Sequence, residues 1–359
     1  MAADDSIHAK FRLDRSGFSL DVDLAIPSSG VTALFGPSGC GKTTVLRCLA
    51  GLERPAGGRL EFGGQVWQDD KIWIPPHRRP FGFVFQQPHL FAHLSVRGNL
   101  EYGWKRLPKS EQKNLAPVVE LLGIGHLLDR KPERLSGGEA QRVGIARALA
   151  LSPRVLLMDE PLSALDTARK REILPYLERL RDEAGIPIVY VTHSPDEVAR
   201  LADHLVILRE GRVAASGPLR ELQARLDLPR LVGDEVGVVL GAVVGEVDRN
   251  WNLARSDFIG GCLWARDHGL AVGQRTRIKV LARDVSLSVA PPARSSIQNV
   301  LTGTVEALGD DEHPGLALVR VDLGGSTILA RLTRRAVHEM EIQPGRHVWV
   351  QVKTVALAE

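Results

Sequence analysis

The sequence predicts an α/β layered domain over roughly its first 230 residues and a mostly β domain over the remainder. Three observations carry this prediction. Short apolar runs at 31–35, 155–158 and 188–191 alternate with longer helix-like segments, the pattern of parallel strands buried on both faces. Later in the chain the runs become alternating, as at 277–280 and 348–352, and glycine turns such as Leu323-Gly324-Gly325-Ser326 separate them. A length of 359 residues suits two packed units, each with a core of its own.

Composition narrows the function classes. Lys and Arg number 46 and Asp and Glu 43, a net charge of +3, which is too small for phosphate-backbone attraction to supply affinity. Nucleic acid is therefore not an expected partner. Hydrophobic residues at 44% and charged residues at 25% are the proportions of an ordinary globular protein. No stretch approaches the roughly 18–20 uninterrupted apolar residues that cross a bilayer, and the opening MAADDSIHAK has no hydrophobic signal core. Any membrane association is expected through a partner. Cys40, Cys48 and Cys262 are too few and too unevenly spaced for a disulfide framework and form no Cys-x-x-Cys pair, which fits a reducing cytoplasm.

The strongest chemical signal is Gly36-Pro37-Ser38-Gly39-Cys40-Gly41-Lys42-Thr43, placed between the apolar run 31–35 and the helix-like Thr44-Val45-Leu46-Arg47-Cys48-Leu49-Ala50. Glycines let backbone N–H groups turn inward around phosphate oxygens, and the helix N-terminus adds partial positive charge. Lys42 is placed to reach β and γ phosphates, and Thr43 to ligate magnesium. A chance match to the four fixed positions is on the order of one in a hundred at average composition, and the strand and helix flanks lower it further.

A nucleotide loop needs a metal ligand and a water-activating group. Val155-Leu156-Leu157-Met158-Asp159-Glu160 supplies both at the end of an apolar run: Asp159 for the metal, Glu160 to accept a proton from the attacking water. In isolation an Asp-Glu pair here is as readily the acidic start of a helix. The phosphate loop tips the balance toward chemistry.

Leu135-Ser136-Gly137-Gly138-Glu139, followed by Ala140-Gln141-Arg142-Val143-Gly144-Ile145-Ala146, puts a serine and two glycines at a helix start. With this pentapeptide beside the phosphate loop, the chain resembles the ATP-binding subunit of an ABC transporter. The resemblance implies a P-loop NTPase domain over 1–230 with a helical subdomain at about 88–150, ATP and Mg2+ as cofactors, and a homodimer. In such a dimer Ser136, Gly137 and Gly138 of one subunit complete the ATP site of the other. It further implies that Gln86 in Gly82-Phe83-Val84-Phe85-Gln86-Gln87 senses magnesium and the attacking water. Asp166 in Ser163-Ala164-Leu165-Asp166 would lie where the subunits communicate, and His193 would contact the γ-phosphate and support Glu160. Read singly, Gln86 is a solvated amide, Asp166 a helix cap and His193 a structural histidine. Phe18 and Phe11 both stand where the family places an adenine-stacking aromatic, and each is equally readable as core.

The tail carries two further patterns. Val272-Gly273-Gln274-Arg275-Thr276-Arg277-Ile278-Lys279-Val280 echoes Gln343-Pro344-Gly345-Arg346-His347-Val348-Trp349-Val350-Gln351-Val352, about 70 residues on, which suggests a duplicated small barrel. Pro291-Pro292-Ala293-Arg294 is the natural linker between the copies. The segment Ser295-Ser296-Ile297-Gln298-Asn299-Val300-Leu301-Thr302-Gly303-Thr304-Val305, with the strand ending Val352-Lys353-Thr354, is similar to the molybdate-binding module of molbindins. This implies an OB-like accessory domain of the TOBE/Mop type over 231–359, with the module at about 295–357. The usual Arg before Asn is here Gln298. Ser296 and Lys353 are the candidate oxyanion ligands, a hydroxyl donor and a cation; the alternative is a solvated strand lysine in a module that serves only dimerisation.

Taken whole, the chain resembles the ATPase component of bacterial molybdate importers, with tungstate a second solute. That resemblance implies two copies of an integral membrane permease, an external molybdate-binding protein acting indirectly, and a peripheral position on the cytoplasmic face of the inner membrane. Sulfate, sugar, iron and polyamine importers share the layout at a coarser level. An oxyanion store or sensor is the reading the tail alone would suggest.

Overall fold

The computed structural model describes residues 6–227, 236–267, 269–293, 295–353 and 355–357. They form two compact units that divide between Gly217 and Pro218. This is earlier than the boundary expected near 230, for a local reason. Helix α7 (Leu219–Gln223) packs on β11 (Gly237–Asp248), and Gln223 Oε1 accepts a hydrogen bond from the Val239 N–H at 2.8 Å.

The first unit is built on one ten-stranded sheet in the order β5-β4-β1-β2-β10-β9-β3-β8-β7-β6. Its strands are β1 (Ile7–Arg15), β2 (Phe18–Ile26), β3 (Val31–Phe35), β4 (Gly57–Phe62), β5 (Gln65–Gln68), β6 (Phe81–Val84), β7 (Val155–Asp159), β8 (Ile188–Thr192), β9 (His204–Arg209) and β10 (Arg212–Pro218). The members β9, β3, β8, β7 and β6 run parallel, and β2, β1, β4 and β5 form an antiparallel wing. The central strands read as unbroken apolar runs because both faces are covered. Leu157, Val189 and Val191 face α1 (Lys42–Ala50) and the wing, whereas Leu156, Met158 and Tyr190 face the helices of the opposite layer. Those helices are α2 (Val96–Trp104), α3 (Ala116–Leu121), α4 (Gly137–Leu149) and α5 (Thr167–Glu183); α6 (Pro195–Leu201) follows β8. Helices α2, α3 and α4 fall within 88–150. Among the described residues no helix is long and apolar enough to cross a membrane.

The second unit carries two five-stranded sheets, β13-β12-β11-β14-β20 and β15-β19-β16-β17-β18. The strands are β12 (Leu253–Phe258), β13 (Gly261–Arg266), β14 (Arg275–Leu281), β15 (Val285–Ser288), β16 (Asn299–Asp310), β17 (Leu316–Asp322), β18 (Thr327–Thr333), β19 (His347–Val352) and β20 (Ala356–Leu357), and helix α8 (Arg334–Glu339) precedes β19. The two sheets repeat one plan. A long bulged strand, β11 or β16, pairs with a hairpin partner and with a returning fourth strand, β14 or β19. The entry turns coincide bond for bond: Gly273 N–H donates to Val244 O at 2.7 Å and Gly345 N–H to Val305 O at 2.8 Å. Val244 N–H and Val305 N–H return the bond to Gln274 O and Arg346 O, each at 2.9 Å. Gly273 and Gly345 have φ of 86° and 87°, a left-handed turn position that glycine fills without a Cβ penalty. The duplication suggested by the glycine turns is thus present in hydrogen bonding as well as in sequence.

The fifth strands are exchanged. β15, which follows β14, pairs with β19 of the second sheet, and β20, which follows β19, pairs with β14 of the first. Each half completes the other, and a single core from Val236 to Val352 joins them. Residues 291–293 lie between β15 and β16 as the linker reading requires, and Arg294 lies outside the described residues.

Candidate functional site

The loop Gly36 to Gly41 joins the C-terminal end of β3 to α1, where parallel α/β sheets place their binding crevices. Gly36 has φ 153° and lies so near β9 that a Cβ would fall 2.2 Å from Leu208 O. Gly41, at φ 107°, is the residue before α1 and offers no side-chain cap, so the first N–H groups of the helix stay available to an anion. Lys42 folds back over the loop, its ammonium donating to Gly36 O and Pro37 O at 2.9 Å each. Cys40 is buried, and burial raises its thiol above the ordinary range, so the loop thiol stays protonated.

Four other segments converge on the end of this sheet. Thr43 Oγ1 donates to Asp159 Oδ1 at 2.8 Å. Burial, and then the neighbouring Glu160 charge, raise the Asp159 carboxyl above its usual value, against the lowering pull of the Thr43 bond. Glu160 leaves β7 in the left-handed region, φ 42°, with its N–H donating to Val191 O at 3.1 Å. The adjacent strand β8 delivers His193, whose Nδ1 lies 3.4 Å from Glu160 Oε2. Gln86, just past β6, donates from Nε2 to Ser163 Oγ at 3.0 Å, and Ser163 Oγ donates in turn to Glu160 O at 2.8 Å.

In the sequence Ser163 stands only as the first residue of the loop that ends at Asp166. Its hydroxyl holds the glutamine and the glutamate backbone together, a role no spacing signal announces. Asp166 caps α5, accepting from Arg169 N–H at 2.9 Å. Ser136 caps α4 in a reciprocal box: Ser136 N–H donates to Glu139 Oε2 at 2.7 Å, and Ser136 Oγ accepts from Glu139 N–H at 3.2 Å. These bonds of Ser136, with Gly137 and Gly138 in the first turn, are local to α4.

The structure separates the two aromatic candidates. Phe11 is 0% exposed in the wing core. Phe18 is half-buried, and its ring edge would lie 3.0 Å from a Cβ at Gly41, which puts it beside the phosphate loop. Among the described residues no group of three or more His, Cys, Asp or Glu is arranged to hold a metal. A hydroxyl and one carboxylate suit magnesium, which is bound through few protein oxygens together with water and phosphate.

In the second unit Ser296 and Lys353 are both exposed. β16 and β19 pair Asn299 with Val352, so residues 296 and 353 lie at the same end of that ladder. Lys353 N–H donates to Asp284 O at 2.9 Å. The Asn299 amide is occupied by β13, accepting from Trp264 N–H at 2.7 Å and donating to Trp264 O at 2.9 Å.

A family model described as ABC transporter matches residues 20–163, and one described as TOBE domain matches 295–358. The molybdenum import ATP-binding protein ModC of Methylococcus capsulatus is 63% identical over 99% of this chain and 100% of its own length. The protein of the same name from Thiobacillus denitrificans is 60% identical, with 99% of both chains covered. Among solved structures, cbiO1 of Clostridium perfringens, part of the ABC transporter complex cbiONQ, aligns with TM-score 0.53 at 30% identity. That alignment covers 63% of this chain and 94% of cbiO1. The ATP-binding cassette MJ0796, a dimer bound to ADP and Pi, aligns with TM-score 0.50 at 29% identity over 60% of this chain and 99% of that one. With nearly full-length identity above half, a nucleotide loop at the end of a parallel sheet and a duplicated β tail, the chain belongs to the family of molybdenum import ATP-binding proteins of ABC transporters.

Proposed function

We propose that this chain is the ATP-hydrolysing subunit that powers molybdate import, and that two copies close on two nucleotides to do so. The observation that carries the reading is the convergence of Lys42, Thr43, Asp159, Glu160 and His193 at the end of one parallel sheet. In this reading the Gly36–Gly41 backbone and Lys42 hold the phosphates. Thr43 and Asp159 would hold Mg2+, with Gln86 as a further candidate ligand whose amide is bonded to Ser163 Oγ. Bound magnesium supplies charge neutralisation at the phosphates.

Glu160 takes the proton from the attacking water, and the left-handed turn aims its carboxylate while the Val191 carbonyl anchors its N–H. His193 steadies that carboxylate and faces the γ-phosphate. Phe18 stacks on the base. Ser136, Gly137 and Gly138 present the N-terminus of α4 to the nucleotide of the opposite subunit, and Asp166 lies at the subunit junction.

The chain would sit at the cytoplasmic face of the inner membrane, held there by two copies of a permease that an external molybdate-binding protein feeds. A cavity of about 760 Å³ between α2 and α3, lined by Leu100, Trp104, Leu115, Val119 and Leu128, supports docking of the permease on the helical region. Ser296 and Lys353 are retained as oxyanion candidates of the tail. The decisive experiment is molybdate uptake by membranes that carry the chain with its permease. ATP-dependent uptake that Lys42→Ala abolishes is expected, and tungstate should compete. ATP-dependent uptake of sulfate with none of molybdate would overturn the substrate assignment.

A further inference from the structure

Behind His193 lies a buried polar cluster that none of the motif residues includes. Glu197, in the first turn of α6, is only 4% exposed, yet both its carboxylate oxygens are engaged. Oε2 accepts from Thr192 Oγ1 at 2.7 Å and from Tyr190 Oη at 3.0 Å, and Oε1 accepts from Lys170 Nζ at 3.0 Å. Burial and the adjacent Glu197 charge push the Tyr190 hydroxyl well above its ordinary range, so it stays a donor. An internal carboxylate is expensive to desolvate, and here three donors from two further elements offset the cost.

The cluster brackets the histidine. Thr192 Oγ1, besides donating to Glu197, accepts from Ser194 N–H at 3.0 Å, and Ser194 Oγ accepts from Glu197 N–H at 3.4 Å. Thr192 is therefore tied directly to the Glu197 carboxylate, and Ser194 is tied to it through the Thr192 hydroxyl while also capping the helix that carries Glu197. The third tie leads elsewhere: Lys170 stands in the first turn of α5, just past its cap Asp166, and its Nζ joins that helix to the histidine turn. A misplacement of about 1 Å at a group facing the reacting phosphate is enough to cost on the order of 100-fold in rate.

We propose that Glu197 is a positioning residue for hydrolysis: acting through Thr192 and Lys170, it sets the His193 turn against Glu160 and ties that turn to α5. The proposal rests on the reading that His193 faces the γ-phosphate.

The test is steady-state ATP hydrolysis by the full-length chain carrying Thr192→Val, Thr192→Ser or Glu197→Gln, each with His193 intact and in a His193→Ala background. Thr192→Val should lower kcat about 10-fold or more while KM for ATP moves less than about 3-fold, and Thr192→Ser, which keeps the hydroxyl, should recover most of the loss. In the His193→Ala background the same valine should cost less than about 2-fold, because its effect runs through the absent ring. A kcat for Thr192→Val equal to that of the unaltered chain, or the same fold-loss in both backgrounds, overturns the proposal. Unchanged turnover by His193→Ala alone defeats instead the reading of the site. Should Glu197→Gln fail to fold, the near-isosteric Thr192 variants decide the matter by themselves.

Discussion

Glu160 Oε2 and His193 Nδ1 lie 3.4 Å apart, although the two residues come from the ends of different strands, β7 and β8. Parallel pairing produces the contact. β7 and β8 run side by side with Asp159 opposite Val191, so the residues just past the two strand ends emerge at the same edge. Glu160 then turns into the left-handed region at φ 42°, a conformation that costs a non-glycine residue about 1 kcal/mol or more. Strain kept at a carboxylate facing a histidine is a mark of chemistry more than of folding.

That geometry makes Glu160→Gln the sharpest single test of the base. The amide is isosteric, so the turn and the bond to Val191 should persist and ATP should still bind. Without a proton acceptor, kcat should fall by about 100- to 10,000-fold. Nucleotide binding and single-turnover hydrolysis measured on the same preparation separate the two effects. Turnover within a few fold of the unaltered chain would remove Glu160 from the role.

A pH dependence follows from Asp159. Burial raises its carboxyl, so the proton is retained to a higher pH than on an exposed aspartate, and Mg2+ binds the ionised form. As pH falls from neutral toward the raised value, the magnesium concentration giving half-maximal turnover should therefore climb; above it the requirement should level off. Thr43 lowers the same value through its hydrogen bond, so Thr43→Val should move the onset of the acid effect to higher pH as well as weaken magnesium directly. A magnesium requirement that does not change on acidification would contradict this placement of the carboxylate.

Much of this was legible in the sequence, in proportion to how local the cause is. Gly36 to Thr43 announces its loop because glycine and lysine at fixed spacing satisfy backbone and phosphate constraints within eight residues. The apolar runs revealed β3, β7 and β8 because burial on both faces leaves no polar position to interrupt them. The paired glycines at 273 and 345 betrayed the duplication because a left-handed turn admits few other residues. What stayed hidden depends on partners distant in the chain. The bond from Gln86 to Ser163 spans 77 positions, and neither residue type signals it. Phe18 and Phe11 could not be ranked because both alternate correctly along their strands; only the packing of the wing shows which one reaches the loop. The exchange of β15 and β20 between sheets was equally illegible, since strand patterning records a face and not a partner.

Site sharing between subunits predicts an asymmetric result. Ser136 and the two glycines after it form a compact helix start, closed by the box with Glu139. Ser136→Arg should fill the space above that helix start and lose the cap, which by itself costs about 1 kcal/mol. Homodimers of the variant should hydrolyse ATP at least about 10-fold more slowly. A dimer of one Ser136→Arg subunit and one Lys42→Ala subunit should keep a single competent site, because both changes fall in the same composite site, whereas the double variant paired with an unaltered chain puts one change in each site and should keep none. Identical activities in those two pairings would contradict sharing.

The last prediction concerns Arg79, which anchors α1 from behind. It is 4% exposed, and its guanidinium donates to Cys48 O at 3.0 Å, Leu49 O at 2.7 Å, Ile74 O at 2.8 Å and Gln68 Oε1 at 3.3 Å. Desolvation lowers its pKa to about 10, still far enough above neutrality to keep the charge at the negative end of the α1 dipole. Arg79→Met would fill most of the volume but remove the guanidinium donors from Leu49 O and Ile74 O, while Cys48 O keeps the Gly51 N–H, at about 3 kcal/mol of stability, or roughly 6–12 °C in Tm for a unit of this size. Because α1 carries Lys42 and Thr43 at its other end, ATP affinity should weaken together with Tm, and saturating nucleotide should recover part of the Tm loss. A variant as stable as the unaltered chain would show that water satisfies the end of α1 and that Arg79 does not hold the phosphate loop in place.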